Sequence, residues 1–426
     1  MTDNRGRYID NLLPRFDRSP TPYHAVDTIA DELAEVGFSE YDEGGPFPTE
    51  PGRHFTRRGG SLVAWSSAMT DPATGFRVIG AHTDSPNLRI KPKPDGESVG
   101  WSKLGVEVYG GALLNSWLDR ELGLAGRVAV RDGDVARTVL FHDDRPLLRV
   151  PQLAVHLDRE VNDRGLILNR QQHLNPVWGA GDVGSFVEYL ADQTGSNRED
   201  VLGWDAMVFD INPACVGGLN LDFLVSGRID NLLSCFVAAD ALKLGAAEPG
   251  PHTKMICLFD HEEVGSVSTS GAGGPLLDQT IARIVEARGG AAISRGQAIT
   301  NSMMVSADGA HATHPNYVDR HEKDHTIEIN SGPVLKINSN QRYATDAVSA
   351  AEFRLSCEAA KVPMQTFVNR SDLACGSTIG PLTSGRLGIP VVDAGCAQLG
   401  MHSAREMAGS ADPEMFRDAL AAFLRR

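Results

Sequence analysis

The chain has 426 residues and a formal net charge of −15, with 40 Lys and Arg against 55 Asp and Glu. That balance argues against nucleic acid or an anionic membrane as a partner, because both need a basic surface, and 42 % hydrophobic with 22 % charged residues is a globular rather than a disordered composition. The length suits two or three units of ordinary size; no apolar run approaches the roughly 18 residues of a membrane span, and the polar start Met1 to Tyr8 lacks a secretion-type core, so a cytoplasmic location is expected.

Along the chain, Ala25, Val26, Ile29, Leu33 and Val36 recur at helical spacing, with Thr21 as cap and Pro22 in the first turn, which predicts an amphipathic helix over 23–36. Strand-like runs follow at 61–65 and 76–79, and the second leads straight into Gly80-Ala81-His82-Thr83-Asp84-Ser85-Pro86. From about 91 to 226 the texture becomes β-rich: Val99 to Val108 favours a strand, and 125–130 and 136–141 flank Asp132-Gly133, a hairpin signal. Beyond Arg228 strands and helices alternate. Helices are expected at 231–244, 276–287, 347–360 and 412–424, and strands at 254–259, 302–306, 364–368 and 390–392. The pattern predicts an α/β domain built from 1–90 and 227–426 and interrupted by a separate β-rich insertion at 91–226.

Six cysteines, at 215, 235, 257, 357, 375 and 396, form no C-x-x-C pair, so reduced and mostly buried thiols are expected. Asn369-Arg370-Ser371 fits a glycosylation pattern, but the expected cytoplasmic setting makes it a chance match.

In α/β sheets reactive groups gather beyond the carboxyl ends of the strands. Here those positions hold His82 and Asp84, Asp230, Asp260-His261-Glu262-Glu263, Asp308 and His311, and His402. A mixed imidazole and carboxylate set suits zinc, and two such ions about 3.5–4 Å apart need one bridging carboxylate, for which Asp230 at a helix start is the candidate. Taken singly, Asp230 reads as a helix cap, Glu262 and Glu263 as a solvated strand end, His402 as a core or surface histidine, and Asp84 as a turn residue. The recurrence of strand, carboxylate-rich turn and histidine at four separated places favours the metal reading. No Ser-His-Asp or Gly-x-Ser-x-Gly arrangement competes with it.

Seven blocks, GAHTDSPNLRIKP, RIDNLLSCF, DHEEVGS, SADGAHATHPNY, GPVLKINSNQRYATDA, CGSTIGP and QLGMHSAREM, resemble in composition and order the signature blocks of the aspartyl aminopeptidase family of dinuclear zinc peptidases. The resemblance covers nearly the full chain. It implies a three-layer catalytic domain with an inserted β-rich dimerisation domain. It further implies two Zn2+ per subunit, with His82 and Asp308 at one, Glu263 and His402 at the other, and Asp230 between them. Asp84 would orient His82 from outside the ligand set, and Glu262 would act as general base toward a water whose pKa two cations lower.

The same resemblance points to His311, Lys336 and Tyr343 as substrate contacts, with Lys336 favouring an acidic N-terminal side chain; by itself Lys336 reads as an exposed strand lysine. His156 resembles a substrate contact offered by a neighbouring subunit, and by itself reads as a satisfied strand histidine. The expected partners are short peptides with a free N-terminus and further copies of the chain, in this family a tetrahedral assembly of twelve. Two other readings stay open: a related dinuclear amidohydrolase acting on N-acyl amino acids, and an inactive peptide-binding homologue.

Overall fold

Alternation along the central strands decides which side chains meet which helices. The computed structural model describes residues 7–67, 71–248 and 250–426; the polar N-terminal run lies, up to Gly6, outside the described residues. In the strand Phe76–His82, Ile79 and Ala81 join one buried cluster while Phe76 and Val78 join another. In Thr253–Phe259, Ile256 and Leu258 face the first cluster and Met255, Cys257 and Phe259 the second. Successive strand side chains point to opposite faces, so an uninterrupted apolar strand needs cover on both sides. Helices Pro22–Glu35, Ile229–Ala246, Ala347–Ala360 and Asp412–Arg425 supply it on one face, and Leu276–Ala287, Ala292–Thr300 and Ile379–Leu387 on the other. The result is the expected three-layer α/β architecture.

The sheet between these layers has nine strands among the described residues, in the order Ser39–Glu40, Arg53–Arg58, Ser61–Ser66, Thr253–Phe259, Phe76–His82, Met303–Ala307, Val391–Gly395, Val334–Ile337 and Gln365–Val368. Its middle four, from Thr253–Phe259 to Val391–Gly395, are parallel neighbours. Their carboxyl ends therefore share one edge, where His82, Asp260 and Asp308 emerge.

A second sheet of six antiparallel strands lies between Asn87 and Asp210 and has its own core around Leu88, Val106, Leu124, Phe141, Phe186 and Val208. Its hairpin pairs Asp132 with Val135, and Gly133 takes φ +61° at the tip, as Asp132-Gly133 predicts. A third sheet joins Cys215–Gly217, Phe223–Ser226, Glu406–Gly409, Ala397–Leu399 and Ala310–His311. It carries the chain between the large sheet and the loops around His402.

Several elements depart from the sequence expectations. Val99 is not in a strand: it takes φ +53° in a turn, and the strand starts at Trp101. The helices Tyr8–Asp17, Ala292–Thr300 and Ile379–Leu387 were not predicted. Each contains Pro14, Gly296 or the pair Gly380-Pro381, and such residues mask a helical period locally. Pro381 is tolerated because it lies in the first turn, where its missing N–H has no helical acceptor.

Candidate metal centre and cleft

Each candidate ligand stands where a regular element gives way. His82 ends its strand, Asp308 follows Met303–Ala307, and Glu262 and Glu263 occupy a short 3-10 turn after Phe259, entered through His261 at φ +65°. That turn meets the need for both adjacent carboxylates to face one place, which a regular strand would prevent. Asp230 and Asn231 carry non-helical backbone angles at the head of Ile229–Ala246, and His402 takes the left-handed φ +68°. Non-glycine residues in that region are uncommon and cluster where function over-determines the backbone.

The side chains converge. His82 Nε2 lies 3.3 Å from Asp230 Oδ1, 3.6 Å from Asp308 Oδ1 and 3.9 Å from Glu262 Oε2. His402 Nε2 lies 3.5 Å from Asp230 Oδ2 and 3.4 Å from Glu263 Oε1. Three groups of three, His82-Asp230-Asp308, Asp230-Glu263-His402 and His82-Glu262-Glu263, each bring one ligand atom per residue within 4.8 Å of the others. Asp230 belongs to the first two and turns one oxygen toward each histidine. Asp230 Oδ1 and Glu263 Oε1 are buried with no hydrogen-bond partner. Buried carboxylate oxygens left so are costly unless a cation meets them, so these donors fit a divalent metal such as zinc.

A surrounding set of groups fixes these residues. The Asp84 carboxylate accepts from the Glu262 N–H at 3.0 Å, the Glu263 N–H at 3.1 Å and the Tyr109 hydroxyl at 2.7 Å. His82 Nδ1 lies 3.0 Å from the Asp84 carbonyl and 3.4 Å from its carboxylate, which keeps Nε2 facing Asp230. His402 Nδ1 pairs with the Gly111 carbonyl at 3.1 Å, and the Glu406 carboxylate accepts from the N–H groups of Asp230 and His402. Sequence reasoning missed Tyr109, Gly111 and Glu406. Glu406 lies inside one of the seven quoted blocks, but nothing in its spacing assigns it a contact, and Tyr109 and Gly111 sit in a stretch with no motif.

This crowding shifts the proton affinities of the site's own groups. Burial pushes Glu262 up to about 7, with Asp308, Asp84 and Asp230 adding to the rise against His82. Burial likewise raises Glu263 well above the carboxylate range, helped by Asp230. For His402 burial disfavours the charged form, yet Asp230 and Glu263 outweigh it and carry the imidazole to about 10. His82 is raised in the same way by Asp230, Asp308 and Asp84 against its burial. For Asp230 burial works upward, but the His402 and His82 imidazoles beside it hold it below the usual range. A ligand imidazole must shed its proton, so a cation would compete with protons here.

The centre floors a cleft of about 440 Å³ whose lining also includes His311, Lys336 and Tyr343. Lys336 is buried, not the exposed lysine its strand suggested: Nζ donates to the Gly309 carbonyl at 3.1 Å, lies 3.6 Å from Asp308 Oδ2 and stands 5.1 Å over the Tyr343 ring. Burial and Lys336 together lower His311, which keeps it neutral. His156 is neither in a strand nor in this cleft. It occupies an exposed turn at 155–157, between exposed Val155 and Leu157. Of the cysteines, four are buried, while Cys375 is partly buried and Cys215 exposed, and all six are free.

The profile of the family described as "Aminopeptidase I zinc metalloprotease (M18)" matches residues 16–424. The "Probable M18 family aminopeptidase 2" of Streptomyces coelicolor is 47 % identical over 423 residues, which covers 98 % of this chain and 97 % of that one. Among solved structures, the "Cryo-EM structure of the Ape4 and Nbr1 complex" matches with a TM-score of 0.95 and 35 % identity over 98 % of this chain and 85 % of that one. The "Structure of S. cerevesiae mApe1 dodecamer" matches at 0.85 and 26 % over 97 % and 95 %.

Proposed function

Because the chain belongs to the M18 family and is therefore a zinc-dependent aminopeptidase, we propose that it removes acidic residues from the N-termini of short peptides at a centre of two zinc ions. The observation that carries the dinuclear reading is Asp230, whose two oxygens face His82 and His402 separately. His82 and Asp308 would hold one ion, Glu263 and His402 the other, and Asp230 both. Bound zinc supplies Lewis acidity toward the scissile carbonyl and lowers the pKa of water. Glu262 takes the proton of the attacking water and passes it to the departing amine. Asp84 holds the turn that aims Glu262 and keeps His82 oriented.

Lys336 supplies the acidic preference, since a buried ammonium in the cleft favours a carboxylate side chain. His311, neutral and close by, and Tyr343 would frame that side chain. Residues 1–90 and 227–426 form the catalytic domain, and 91–226 an inserted dimerisation domain, a division supported by the separate core of the six-stranded sheet. The chain assembles with copies of itself, as the similar dodecamer does, and a neighbour's His156 turn completes the cleft. No helix among the described residues is long and apolar enough to cross a membrane; the proposed setting is the cytoplasm, and nucleic acid is not among the proposed partners.

The test is a panel of aminoacyl chromogenic substrates bearing Asp, Glu, Ala, Leu and Lys, assayed before and after metal stripping and zinc readdition. Metal-dependent cleavage confined largely to Asp and Glu is the expected result. Cleavage concentrated on neutral residues would remove Lys336 as selector while leaving the metal chemistry intact.

A further inference from the structure

We propose that Glu406 is a positioning residue for the second zinc position: its single carboxylate clamps the main chain of Asp230 to that of His402 and so sets the distance between two ligands of one ion. The inference rests on the two-zinc reading above. Glu406 opens the strand Glu406–Gly409, whose register pairs it with Ser226, just before the Gly227-Arg228 turn that delivers Asp230. It is buried, and it lines the closed space behind the centre, not the substrate cleft. Its Oε2 accepts the Asp230 N–H at 2.9 Å and its Oε1 the His402 N–H at 2.7 Å. On the other side of those two residues the side chains meet, His402 Nε2 at 3.5 Å from Asp230 Oδ2.

Neither backbone is held there by a regular ladder: Asp230 is non-helical and His402 left-handed. Charge alone does not explain a carboxylate at this position. A neutral amide of the same length would fill the same buried space. An amide, however, has one acceptor oxygen and turns its NH2 donor toward the other N–H. Only a carboxylate accepts from both.

The plainer alternative is a helix-end contact that adds stability and nothing else. Asp412 provides the internal control. It is a buried carboxylate outside the groups of candidate ligands that also accepts two main-chain N–H groups, from Asn330 at 2.6 Å and Gly332 at 2.9 Å. The full chain, its Glu406→Gln variant and its Asp412→Asn variant are stripped of metal, melted, and titrated with zinc against a chromogenic chelator.

The expected result is two zinc constants for the unaltered chain, one of them weakened at least about tenfold in Glu406→Gln and the other kept. Asp412→Asn should melt earlier with both constants unchanged. Unchanged constants in Glu406→Gln, whatever its melting temperature, would overturn the proposal, as would equal weakening of both. Should Glu406→Gln not fold, Glu406→Asp, too short to reach both N–H groups, is read the same way. A single zinc in the unaltered chain would sink the dinuclear reading instead, and the Glu406 proposal then stands or falls on whether that one constant weakens.

Discussion

Glu262 and Glu263 are adjacent, yet the proposed roles separate them, and substitutions can tell them apart. Glu262→Gln should lower kcat by at least about 100-fold while zinc content measured by elemental analysis stays near that of the parent. Asp230→Ala should lower zinc content itself, because it removes an oxygen from two of the three groups of three. Equal metal loss in the two variants would undo the division of roles. Lys336→Ala should cut kcat/KM for aspartyl and glutamyl substrates by roughly 10- to 100-fold more than for alanyl ones; an even decline would assign Lys336 to folding through its Gly309 and Asp308 contacts. The six residues that converge on the centre were legible in the sequence as members of a set of ten metal-capable side chains at strand ends, but singling out the ligands rested on the family resemblance. Tyr109, Gly111 and Glu406 were not, since they act through a hydroxyl, a carbonyl and main-chain N–H groups, and no residue-type pattern records which backbone atom lies nearby.

At the scale of elements, the central strands and long helices follow from apolar period and caps, which is why the expected and observed spans of 412–424 and Asp412–Arg425 nearly coincide. Close approach between strands is less visible. A Cβ on Gly395 would stand 1.7 Å from the Asp308 carbonyl oxygen, whereas one on Gly80 would meet the flexible tip of Met304 at 2.1 Å. Gly395→Ala should therefore destabilise by several kcal/mol and Gly80→Ala by about 1–2, read as the difference in urea midpoints. Comparable costs would mean that the Asp308 backbone can shift freely.

The helix Pro22–Glu35 carries a pH signature of its own. Burial, aided by His142 and Arg228, lowers His24 to about 4, and its Nδ1 lies 2.7 Å from the Thr21 cap hydroxyl. The folded state thus binds this proton less tightly than the unfolded chain. Stability from His24 is full above about 6.5 and is lost as pH falls toward about 4, by at most about 3 kcal/mol. His24→Gln should flatten that limb of a stability-against-pH curve, and an unchanged limb would point to another group.

For the whole molecule, the exposed apolar residues Leu153, Val155 and Leu157 flank His156 in sequence, Ile167 is exposed further along the same insertion, and the proposed assembly covers them. Replacing Leu157 and Ile167 together by Lys should reduce the sedimenting mass and lower activity in step, with the circular dichroism spectrum kept. Retained mass would move the contact elsewhere on the surface. Assembly was legible only through family resemblance, because contacts between copies leave no period in a single chain.

The Tyr109 hydroxyl on Asp84 and the Gly111 carbonyl facing His402 give the six-stranded sheet a second hold on the centre within one subunit. That makes the insertion a poor candidate for excision or exchange. A shortened chain joining Pro86 to Gly227 would discard both atoms along with the sheet, and a chimera carrying a foreign insertion would work only if its graft returned a phenol and a carbonyl to the same two points. What looks like an accessory module is, at those atoms, inherited as part of the catalyst.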